Sequence, residues 1–67
     1  MNELLEKAYQ YQNNEQYNKA VELFLQLKEN EQYYEIATLE TAKSYKMANN
    51  PIKAIDYFIE LQSVHTN

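Results

Sequence analysis

The sequence predicts an all-α chain of four helices, arranged as two tandem helix-turn-helix hairpins. Three observations carry this prediction. Apolar residues recur at spacings of three and four along the whole chain, Gly is absent and Pro occurs once, and many helix-packing residues recur 34 positions apart. Strands would show as period-2 alternation of β-branched and aromatic residues between Gly-rich turns, and the chain has no such stretch.

The first segment puts Leu4, Leu5, Ala8 and Tyr11 on one stripe and ends at Asn13-Asn14. The second carries Tyr17, Ala20, Val21, Phe24, Leu25 and Leu27 and runs to Asn30. The third holds Ile36, Leu39, Ala42 and Tyr45 before Asn49-Asn50, and the fourth holds Ile52, Ile55, Phe58, Ile59 and Leu61. Asn50-Pro51 marks the start of the fourth helix, because Asn accepts hydrogen bonds from the free amides of a helix start and Pro suits its first position. The joint between the second and third segments is weaker. Within Lys28 to Tyr34 only Asn30 disfavours a helix, so the sequence allows either a turn there or one continuous helix over 28–48.

Comparing each residue with the one 34 positions later gives eight identities: Leu5/Leu39, Glu6/Glu40, Ala8/Ala42, Tyr11/Tyr45, Lys19/Lys53, Ala20/Ala54, Phe24/Phe58 and Leu27/Leu61. Val21/Ile55, Glu22/Asp56 and Leu25/Ile59 are conservative. Small Ala8 and Ala42 let the first helix of a hairpin approach the second, where Ala20 and Ala54 face them; Tyr11, Phe24 and Leu27, with Tyr45, Phe58 and Leu61, fill the wider space. With this period and this content the chain resembles the tetratricopeptide repeat family over its whole length. The resemblance implies a single domain, 1–67, of two repeats, 1–34 and 35–67, stacked with a right-handed superhelical sense. Where the family often has a Trp near the start of a repeat and a Pro at its end, this chain has Leu4 and Thr38, and Gln32 and Thr66.

Six Lys/Arg against ten Asp/Glu give a net charge of −4, a poor basis for displacing counterions from nucleic acid. The N-terminus lacks the basic and apolar stretches of a signal peptide, and the longest apolar run, Leu23-Phe24-Leu25, is far short of the roughly 20 residues of a membrane span. A cytoplasmic chain with no membrane partner is expected. No Cys is present to form a disulfide, and the lone imidazole, His65, has no acid four residues before it, so no metal or cofactor is expected. Glu6 and Glu40 are repeat equivalents and reach the same inner surface, but an open groove between helices gives neither the enclosure nor the dryness a catalytic pair needs. They read as part of a solvated face. No enzymatic activity is expected.

The resemblance supplies a functional expectation: a protein-protein interaction scaffold that presents the first helix of each hairpin on a concave face, where an extended peptide or a helix of a partner binds. Carried over, that face comprises Asn2, Leu5, Glu6, Tyr9, Gln12 and Asn13, then Ile36, Leu39, Glu40, Lys43, Lys46 and Met47. Leu5 and Tyr9 stand where the subclass that grips chaperone C-termini uses Lys and Asn, which disfavours that ligand; Leu5 and Leu39 have an alternative role as packing between helices. Arrays of this kind generally need about three units and a cap, so two repeats should expose Tyr57, Leu61 and Val64 and favour a homo-oligomer, stacked or domain-swapped. The second functional reading is therefore a self-association module with no other ligand. Since 67 is one short of twice 34, a fragment of a longer array, natural or designed, is a further reading.

Overall fold

Four helices form where the four apolar stripes place them: α1 (Glu3–Asn13), α2 (Tyr17–Lys28), α3 (Tyr34–Met47) and α4 (Pro51–His65). The structure is a computed structural model and describes residues 2–65, with side chains through Ser63. No strand occurs among the described residues. Asn2 starts α1 by accepting the Leu4 and Leu5 amides on its Oδ1 at 2.8 and 3.2 Å, and Asn50 receives the Lys53 amide at 3.5 Å ahead of Pro51.

The 34-residue period is also a period of backbone geometry. At the end of α1, Glu15 N–H donates to Gln12 O and Gln16 N–H to Tyr11 O at 2.8 Å; at the end of α3, Asn49 N–H donates to Lys46 O and Asn50 N–H to Tyr45 O, again at 2.8 Å. Both are Schellman turns, which need one residue with positive φ just past the helix. With no Gly in the chain, Glu15 at φ 62° and Asn49 at φ 63° take that place. The side chains repeat too, with the Lys19 ammonium over the Tyr11 ring at 5.6 Å and Lys53 over Tyr45 at 5.5 Å.

The weak joint resolves as a turn. Asn30 is extended and its Oδ1 accepts the Gln32 amide at 3.0 Å, capping a single 3₁₀ turn, Glu31–Tyr33, that leads straight into α3. α2 and α3 are thus separate helices within this chain.

Consecutive helices pack on one another, α1 on α2, α2 on α3 and α3 on α4. The small-residue contacts fall where the sequence places them: Ala8, Ala20, Ala42 and Ala54 are all buried. Phe24 and Leu27 join Ala8, Ala20 and Ala37 in one core cluster, edged by Leu4, Leu5, Tyr9, Tyr11, Leu23 and Tyr33. The smallest dimension, 13 Å, accommodates no more than two packed helices, so every helix keeps a face at the surface.

The exposed side of α4 is not the one expected. Ala54 is turned against α3, and Tyr57 and Leu61, three and seven positions on, share its face and tuck inward. Both are half-buried, with Tyr57 stacked on Tyr45 at 5.7 Å. The apolar residues left in solvent are Ile52, Ile55, Phe58 and Ile59. The side chain of Val64, expected on the same patch, lies outside the described residues, as does that of His65.

Candidate functional site

Four of the residues assigned to the concave face, Tyr9, Gln12, Glu40 and Lys43, are brought together across α1 and α3. Gln12, near the end of α1, is buried and donates through Nε2 to Glu40 Oε1 at 3.1 Å and to Ser44 Oγ at 3.0 Å. Lys43 reaches the other Glu40 oxygen at 3.5 Å. Tyr9 lies with its ring edge-on to Phe24 at 5.4 Å, and burial, aided by the charge and hydrogen-bonding pull of Glu40, pushes its hydroxyl up to about 12. Glu40 is therefore not part of a solvated face: α1 closes over it, and the amide of Gln12 replaces the water it would otherwise hold. Its repeat equivalent Glu6 is exposed, so the two carboxylates occupy unlike surroundings.

The remaining members divide by use. Asn2 is committed to the α1 cap, and Leu5 packs against the core cluster, the structural role that the sequence left open for it. Glu6, Asn13, Lys46 and Met47 are exposed at the rim. Met47 also borders a cleft of about 540 Å³ between the two Schellman turns, with Gln16, Tyr17, Lys19 and Asn49 among its walls. Ile36 and Leu39 are half-buried and line a different depression, a groove of about 220 Å³ completed by Glu35 and Leu61.

A second polar cluster, which the sequence did not signal, ties α2, α3 and α4 together. Lys28 Nζ is 2.7 Å from Glu60 Oε2, which also accepts a hydrogen bond from the Tyr34 hydroxyl, and the ammonium sits 5.6 and 5.4 Å from the Tyr34 and Tyr57 ring centres. Burial pulls the Lys28 ammonium down, but the hydrogen bond and charge of Glu60 outweigh it and hold Lys28 above its usual value. Lys28 and then Tyr34 hold the Glu60 carboxyl below the usual carboxylate range. Lys28 and Glu60 lie 32 positions apart in the chain, so no local spacing could have paired them.

Among the described residues, no group of three or more His, Cys, Asp or Glu converges as metal ligands would, and no helix is long and apolar enough to cross a membrane. Neither family models, nor curated proteins, nor solved structures contain a match to this chain.

Proposed function

We propose that this chain is a helical-repeat interaction module of the tetratricopeptide kind, without a catalytic role, that holds an extended peptide or a helix of a partner protein against the surface built by α1 and α3. The observation that carries the reading is the Gln12–Glu40–Ser44 contact. It fixes the two helices side by side before any ligand arrives, and a preorganised surface loses less entropy on binding than one that must be assembled. Around that fixed centre the rim offers mixed chemistry, with Met47 as an apolar foothold and Glu6, Asn13 and Lys46 as polar ones. The repeated Schellman turns support the family reading, because equal turns give the two hairpins the same internal shape. The buried carboxylate, Glu40, is engaged by Gln12 and Lys43 and lines neither groove, which speaks against acid-base chemistry.

Peptides selected from a random library against the full chain test the reading. The expected result is that they lose at least roughly tenfold in affinity for a chain carrying Lys46→Glu and Met47→Asp, about 1.4 kcal/mol, and keep it for Ile55→Glu on α4. Peptides indifferent to the Lys46 and Met47 changes would overturn it. All three positions are exposed, so these substitutions leave the core intact.

A further inference from the structure

Residues that are equivalent in the two halves have unequal surroundings. Val21, Phe24 and Leu27 on α2 are 5%, 0% and 3% exposed. Their counterparts on α4, Ile55 and Phe58, are 54% and 37% exposed, and Leu61 is half-buried. The difference lies in the covering that each helix receives. α3 packs along α2 and places Ala37 in the cluster that holds Phe24 and Leu27. Thr41 and Ser44, one and two turns further along the same stripe, are buried as well, and Ser44 is joined there to Gln12. No helix among the described residues lies on α4 in that way. The core edge makes the same point: Leu5 and Leu27 belong to one closed cluster, whereas Leu39 and Leu61 border the open 220 Å³ groove.

We propose that the exposed face of α4, with the Leu39–Leu61 groove beside it, docks a helix of another protein that presents small side chains, Ala, Ser or Thr, at positions i, i+4 and i+7. The chemistry of that occupant comes from the chain itself. On α2 that apolar set takes Ala37 into its cluster, and Thr41 and Ser44 continue the Ala37 stripe along α3 as buried small side chains, Ser44 bonded to Gln12 of α1. Small side chains of this kind let helix backbones approach closely. An apolar patch of Ile52, Ile55, Phe58 and Ile59 gives the contact its driving force.

The first helix of a second copy does not meet the requirement. At the positions equivalent to Ala37, Thr41 and Ser44, α1 carries Glu3, Lys7 and Gln10, all exposed, and laying them on Ile55 and Phe58 would strip two charges of water. Stacking of α1 of one copy on α4 of the next is thereby disfavoured, and among the described residues the open apolar face is that of α4. This docking face meets α3 at Leu39 but leaves out the Lys46–Met47 rim, so its test is independent of the one that uses those two residues.

The test titrates the isotope-labelled full chain with a synthetic peptide of residues 31–50, the chain's own α3 segment, as the probe helix. Saturable amide shifts at Ile52, Ile55, Phe58, Ile59 and Leu39 are expected. They should weaken at least tenfold for chains carrying Ile55→Glu or Ile59→Glu, and vanish for a peptide carrying Thr41→Lys or for a peptide of residues 2–16. The Thr41→Lys peptide leaves the folded chain untouched, so its result does not depend on any variant folding. Absence of shifts on α4, or equal binding by the 2–16 peptide, overturns the proposal. So do α4 shifts that appear on concentrating the chain alone with a dimer mass in sedimentation, which would assign the face to a second copy.

Discussion

Phe24 and Phe58 hold the same place in the two hairpins, yet Phe24 is sealed and Phe58 is open. Their own hairpins are both intact, so a hairpin does not bury its own outer stripe. The next helix does that. Stability in such a chain is shared between neighbours, and the two halves should respond unequally to the same change.

The largest expected difference is between the two Phe residues themselves. Phe24→Ala should cost roughly 3–5 kcal/mol, as for a fully enclosed aromatic, which approaches the whole stability of a small domain. Phe58→Ala should cost about 1–2 kcal/mol and leave the chain folded, because part of the ring is already in water. Urea midpoints at matched slope measure both, and equal losses would break the comparison.

An asymmetry in pH response comes next, since Tyr9 has Lys43 as its counterpart. Burial and Glu40 raise the Tyr9 hydroxyl from 10.0 to about 12, so the folded chain keeps a proton that the unfolded chain has lost. The stability it contributes is complete below pH 10 and falls as pH rises from 10 towards 12. Lys28, also raised, loses its contribution on the same alkaline side. Tyr9→Phe should therefore flatten the alkaline slope without abolishing it, and thermal melts at pH 9 and 11 would show an unchanged slope if Tyr9 plays no part.

Smaller effects sharpen the comparison at the turns. Glu15→Gly should stabilise by about 1 kcal/mol, because Gly adopts positive φ without steric cost. Asn49→Gly should gain only a few tenths, since Asn tolerates that conformation. Calorimetric Tm values for the two variants measure the difference. A further pair of small effects is expected within α3. Thr41 Oγ1 is buried without a hydrogen-bond partner, so Thr41→Val should be neutral or stabilising by about 0.5 kcal/mol, whereas Thr38→Val forfeits a bond to Tyr34 O and should cost about 1 kcal/mol. Chemical denaturation of the pair separates the two cases.

The helices and the Ala contacts were legible in the sequence because each depends on spacing within one hairpin: Ala8 and Ala20, then Ala42 and Ala54, recur at a fixed period. What was not legible depends on how elements meet. The sequence placed Glu40 on a solvated face, because spacing within α3 could not say that Gln12 would arrive from α1 to bury it. The Asn30 joint was undecided by sequence because a single Asn competes with helix-tolerant neighbours; the 3₁₀ turn settles it through the Gln32 amide. The exposed stripe of α4 was misplaced on Tyr57 and Leu61 because its rotation is set by Ala54 meeting α3. Of the residues carried over to a concave face, Gln12 and Glu40 are hydrogen-bonded to each other between α1 and α3, and Ile36 and Leu39 line the groove beside Leu61.

Residue-level hydrogen exchange on the free chain tests the central claim most directly. Amides from Val21 to Leu27 should exchange only through global unfolding, while those from Ile55 to Leu61 should exchange at least roughly tenfold faster through local opening of the uncovered helix. Equal protection along α2 and α4 would contradict the account, because it would mean that the outer face of α4 is already covered.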